Sequence, residues 1–81
     1  MKEKERFGKL IRDSRENKNM SQEQLAEKCN VTDKSISNIE LGKSDPKLST
    51  VMRICNVLEI DVNALAEFTF MEEDASNEET I

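Results

Sequence analysis

The sequence predicts an all-α domain of five helices with a disordered acidic C-terminal tail. Two observations carry that prediction. Leu, Ile and Val punctuate long polar runs at helical spacing, the pattern of helices that bury one face. The chain also holds only two glycines and one proline, which leaves few breaks inside those runs. Its 81 residues allow one domain with a single compact core. We divide it into a charged lead-in (1–5), a helical domain (6–71) and an acidic tail (72–81).

Phe7, Leu10 and Ile11 open the first helix, which ends near Asn17 to Asn19. Ser21-Gln22-Glu23-Gln24 has the form of a capping box, with Met20 and Leu25 placed to form a hydrophobic staple. A short second helix runs from about Gln22 to Cys29 and turns Leu25, Ala26 and Cys29 inward. Asn30 stands where it must stop, and Asn tolerates the left-handed conformation better than most residues. Thr32 is a good N-cap for a third helix that points Ile36 and Ile39 inward and stops at Leu41-Gly42. Lys43 to Lys47 forms a polar loop containing Pro46. A fourth helix from about Leu48 to Leu58 buries Leu48, Val51, Ile54, Cys55 and Leu58. Asp61 caps a short fifth helix that includes Val62 and Leu65.

The net charge of −5 argues at first against a polyanionic partner. Its distribution removes the objection. Residues 72–81 hold five acids (Glu72, Glu73, Asp74, Glu78, Glu79) and no base, so the rest of the chain is neutral. A binding face for phosphates needs local rather than total positive charge. No apolar run has the length of a bilayer crossing, and no signal peptide precedes the domain, so a cytoplasmic location is expected. Cys29 and Cys55 read as reduced core thiols, with a redox pair as the lesser alternative. With no histidine and no cysteine pair at ligand spacing, neither a metal nor another cofactor is expected. The absence of a nucleophile motif or phosphate loop argues against an enzyme.

Residues 22–41 are the informative stretch. Two short helices joined by a turn of three or four residues form a helix-turn-helix unit. Ala26 is small where the helices cross, Asn30 takes the turn, and Val31, Ile36 and Ile39 fill the wedge between them. On these residues the chain resembles the lambda repressor-like domains of the Cro/CI or Xre type. The resemblance covers about Phe7 to Leu65. It is carried by Phe7-Gly8, Ile11-Arg12, Arg15, Ser21 to Ala26, Ser35 to Lys43, Pro46, and Leu58 with Ile60, Val62 and Leu65. It departs from the family at Asn30, usually Gly, at Ser14, usually Leu, and at Asp33, often Gln or Arg.

The resemblance implies a five-helix bundle that binds double-stranded operator DNA, commonly as a homodimer on a palindromic site, and regulates transcription. It places Gln22 against a backbone phosphate and Lys43 at another. It sets Asp33, Lys34, Ser37 and Asn38 at or near base edges, and pairs Arg15 with Glu40 in an internal salt bridge. Thr32, Ser35 and Lys47 complete the expected DNA-binding set. Bland readings stand beside these. Asp33 complements its helix dipole or accepts from cytosine N4, and Lys34 is solvated or meets guanine or phosphate. Asn38 reads adenine or touches phosphate, Ser35 caps or reads, and Gln22 is either a surface residue or a phosphate ligand. Phe68, Phe70 and Met71 either cover the end of the core or form a dimer contact. The alternative function is an antitoxin-like or protein-docking module whose partner binds through that segment or the acidic tail.

Overall fold

The computed structural model describes residues 3–66 and 68. It contains α1 (Glu3–Asn17), α2 (Gln22–Cys29), α3 (Asp33–Glu40), α4 (Leu48–Leu58) and a 3-10 turn (Val62–Leu65), with no strand among the described residues. One core joins them. Phe7 and Ile11 of α1, Leu25, Ala26 and Cys29 of α2, Ile36 and Ile39 of α3, and Val51, Ile54, Cys55 and Leu58 of α4 meet with Leu65 in a single buried cluster. The edge of that cluster is closed by the half-buried Leu10, Met20, Val31, Val57, Ile60 and Phe68.

The structure departs from the sequence reading in three places. Helix α1 begins at Glu3, ahead of Phe7. Glu3 and Glu5 lie in its first turn, where carboxylates offset the positive end of the helix dipole. Lys4 Nζ also lies 3.2 Å from Asp45, which ties that turn to the loop before α4. The fifth predicted helix is a 3-10 turn. Asp61 caps it by accepting from the Asn63 N–H at 2.9 Å, and the carbonyl of Asp61 accepts from Ala64 three residues on. Leu65 is buried while Val62 is exposed, so one inward side chain holds a single tight turn and nothing extends it. Leu48, expected to be buried, is 42% exposed. It shares the apolar stripe of α4 but sits at the first helical position, where the stripe runs past the edge of the core.

All four helices end in the same way. A left-handed residue follows each: Asn19 (φ 55°), Asn30 (φ 59°), Gly42 (φ 75°) and Glu59 (φ 60°). The next N–H then reaches back to the carbonyl five residues earlier, from Met20 to Arg15, Val31 to Ala26, Lys43 to Asn38 and Ile60 to Cys55. This is the Schellman arrangement, which satisfies terminal carbonyls that lack an intrahelical partner. Three of the four residues that make the back-bond, Met20, Val31 and Ile60, are also apolar and pack against the core, while the fourth, Lys43, is exposed.

Gly8 sets the approach of α1 to α3. An ideal Cβ built on it would lie 2.4 Å from the Ile39 carbonyl oxygen and 2.5 Å from that of Glu40. No side chain fits there, so the two backbones cross at van der Waals contact. Phe68 covers one end of the core, its ring edge-on to Phe7 at 5.5 Å between centroids, with the Arg6 guanidinium 5.4 Å from its centre. That is the core-covering reading of Phe68. Phe70, Met71 and the acidic tail lie outside the described residues.

Cys29 and Cys55 are free buried thiols. Burial pushes both above the ordinary thiol value; Arg53 partly opposes this at Cys29, while neighbouring Cys29 adds to it at Cys55. Among the described residues no helix is long and apolar enough to cross a membrane.

Candidate nucleic-acid interface

The site is built on α2, the turn after it, and α3. Ser21 starts α2 with a complete capping box. Its Oγ accepts from the Gln24 N–H at 3.0 Å, and its own N–H donates to Gln24 Oε1 at 2.8 Å. At the other end Asn30 turns the chain in the left-handed conformation, and Arg53 of α4 donates to the Cys29 carbonyl at 3.0 Å. Thr32 then starts α3, its Oγ1 accepting from the Ser35 N–H at 3.1 Å. The turn is therefore pinned by its own backbone and by α4.

Helix α3 has two unlike faces. Ile36, Ile39 and Glu40 are buried. Asp33 and Lys34 are exposed, and Ser35, Ser37 and Asn38 are half-buried. Positions 33, 34, 37 and 38 fall together because residues three and four apart on a helix are neighbours. That face offers an ammonium donor, a carboxylate acceptor, a hydroxyl and an amide, all groups able to pair with base edges or phosphates. Lys43 and Lys47 are exposed in and after the loop that follows α3. Leu41, expected at the stop of this helix, is 56% exposed at its C-terminal end.

Behind this face lies a charged network. Glu40 is the one buried charged residue among those described. Its side chain is 3% exposed and that of Arg15 11%. Arg15 Nε donates to Glu40 Oε2 at 2.7 Å and Nη2 donates to Oε1 at 3.0 Å, a two-pronged pair between the end of α1 and the end of α3. Arg15 Nη1 also donates to the Met20 carbonyl at 2.8 Å, in the chain between α1 and α2. The hydrogen bonds to Glu40 hold the guanidinium pKa above its ordinary value, against the opposing effect of burial. Gln22 Nε2 donates to Glu40 Oε1 at 2.9 Å. The network thus joins α1, the first residue of α2 and the last residue of α3.

The structure brings Asp33, Lys34, Ser37 and Asn38 to one face, and puts Thr32 and Ser35 into the cap at its start. Gln22 is half-buried at the start of α2, its side chain bonded to Glu40. Two contributors, the Gln22–Glu40 bond and Arg53, escaped the sequence reading. The Gln22–Glu40 bond spans 18 residues and no local pattern announces it. The bond from Arg53 to the Cys29 carbonyl spans 24 residues and likewise has no local pattern to announce it. Gly8, named among the residues that carry the resemblance, gains a physical reason in its close approach to α3.

Comparison with known proteins gives concordant matches. A family profile described as Helix-turn-helix matches residues 11–65. The chain is 28% identical over 68 residues to the SPbeta prophage-derived uncharacterized HTH-type transcriptional regulator YonR of Bacillus subtilis (strain 168), covering 84% of this chain and 63% of that protein. It is 32% identical over 60 residues to the ImmF control region 10 kDa protein of Bacillus phage phi105, covering 74% of this chain and 67% of that protein. The chain thus spans about two thirds of the length of each.

Proposed function

The chain belongs to the helix-turn-helix family, of the Xre and Cro/CI type, and from that premise we propose that it is a sequence-specific DNA-binding regulator of transcription, repressor-like in action. Helix α3 docks in the major groove of an operator. Gln22, Lys43 and Lys47 meet backbone phosphates and set the register, while Lys34 and Asn38, with Asp33 and Ser37, select bases. Thr32 and Ser35 hold the N-terminal turn of α3 at the groove. Arg15 and Glu40 fix α3 on the body of the domain.

The observation that carries this reading is the division of α3. Its inner face is committed to Ile36, Ile39 and Glu40, and its outer face presents only polar groups from 33 to 38. A helix held in this way beside a tight turn has the shape that enters a major groove. The names of the two relatives, a prophage-derived transcriptional regulator and a phage control-region protein, support a regulatory role. Binding as a homodimer belongs to the same reading. Leu41, Leu48, Met52 and Val62 are exposed large apolar side chains available for self-association.

Selection from random duplex DNA tests the proposal. Enrichment of a palindrome with half-sites about 34 Å apart, one turn of duplex, is expected for a dimer. On the selected site Asn38→Ala is expected to lose roughly 1–3 kcal/mol of discrimination at one base pair. No enrichment of any sequence would refute sequence-specific binding.

A further inference from the structure

We propose that Glu40 is a positioning residue for DNA-backbone contact, acting through Gln22; this rests on the reading that Gln22 meets a phosphate. An ionised carboxylate has no proton to donate, so the group 2.9 Å from Glu40 Oε1 must be the amide nitrogen of Gln22 and not its oxygen. The bond therefore selects one of the two flips of the Gln22 amide. A primary amide carries two N–H groups. Glu40 takes one, and the second stays on a nitrogen whose plane is now fixed.

Glu40 can impose this because it is itself immobile. Its side chain is 3% exposed and its two oxygens are held by the two-pronged Arg15 pair. Gln22 is the first residue of α2, the end of that helix at which peptide dipoles favour an anion. Without Glu40 the amide would be free to rotate and flip, and a phosphate would have to fix it on docking, at an entropic cost. The buried pair thus has a role beyond joining helices. It orders a neutral donor at the end of α2 relative to the last turn of α3.

A mutant cycle on DNA affinity tests this, using a mixed-sequence duplex of about 20 base pairs near 50 mM salt, where phosphate contacts dominate. In the wild-type chain Q22A is expected to weaken binding roughly ten- to a hundredfold, the worth of one hydrogen bond to a charged group. Glu40 cannot be removed alone without stranding Arg15, so the cycle uses R15M/E40M, which replaces the buried pair with apolar groups. In that background Q22A is expected to cost nothing. In R15M/E40Q, which restores an acceptor at position 40 without a charge, the Q22A penalty is expected to return. An equal penalty in all three backgrounds, no penalty in the wild type, or a penalty that fails to return with E40Q would each overturn the proposal. A wild-type chain that binds no duplex at low salt would instead remove the DNA-binding reading on which it rests. Should a paired variant not fold, NMR of the wild-type chain gives the same answer. The Gln22 side-chain amide protons are expected to be dispersed and slow to exchange before DNA is added; averaged, fast-exchanging signals would overturn the assignment.

Discussion

Replacing Gly8 with Ala reverses the usual sign of a helix substitution. In an exposed helix interior this change stabilises by about 1 kcal/mol, because glycine loses more backbone freedom on folding. Here the added methyl would sit 2.4 Å from one carbonyl oxygen of α3 and 2.5 Å from the next. Relief requires about 1 Å of separation between α1 and α3, since an ordinary carbon contact is about 3.4 Å or more. Both opposing atoms are backbone, so no side chain can rotate away. Overpacking of this kind costs about 3 kcal/mol. Set against the helical preference of alanine, the net loss is about 2 kcal/mol, or a fall in Tm of roughly 8–16 °C for a domain of this size. Urea and thermal unfolding followed by far-ultraviolet circular dichroism measure it, with S14A on the same helix as the propensity control. A G8A chain more stable than wild type would show that the two helices do not meet at this point.

Other expectations concern the pair, the thiols and a helix end. Single removal of either partner, R15A or E40A, is expected to cost about 3–5 kcal/mol in chemical denaturation, whereas R15M/E40M costs far less, because only the single variants strand a buried charge. Burial raises the Cys29 and Cys55 thiols above their ordinary value, so their contribution to stability is complete below the ordinary thiol range and is lost as pH rises through the folded-state values. Urea midpoints recorded from about pH 7 to 10.5 should therefore fall along an alkaline limb that flattens in C55A. E59G should stabilise by about 1 kcal/mol by relieving a left-handed non-glycine residue; the exposed Lys18–Glu59 ion pair that it removes contributes little. A lower urea midpoint for E59G would contradict that accounting.

Local chemistry explains why much of this structure is legible in one sequence. The starts of α2 and α3 are written by Ser21 with Gln24 and by Thr32, residues whose side chains bond to N–H groups only three positions away. The stops at Asn30 and Gly42 are equally local. The inward residues of α2 and α3 follow from helical period, and so does the clustering of Asp33, Lys34, Ser37 and Asn38. What escaped is what depends on distance along the chain. The start of α1 at Glu3 is supported by Asp45, and the exposure of Leu48 depends on where the core ends. The last element has helical spacing but too few inward residues to propagate, a matter of packing that periodicity does not register. The bond from Gln22 to Glu40 belongs to the same class. The residue types at both ends suited it, but only the crossing of three helices brings them together.

The two-sided construction of α3 has an evolutionary corollary. The side chains that anchor the helix and those that face outward are different residues, so the outer set can be exchanged wholesale while Ile36, Ile39, Glu40 and Gly8 stay as they are. Relatives that share this scaffold can then diverge in target without passing through unfolded intermediates, and a library randomised at 33, 34, 37 and 38 should yield mostly folded members.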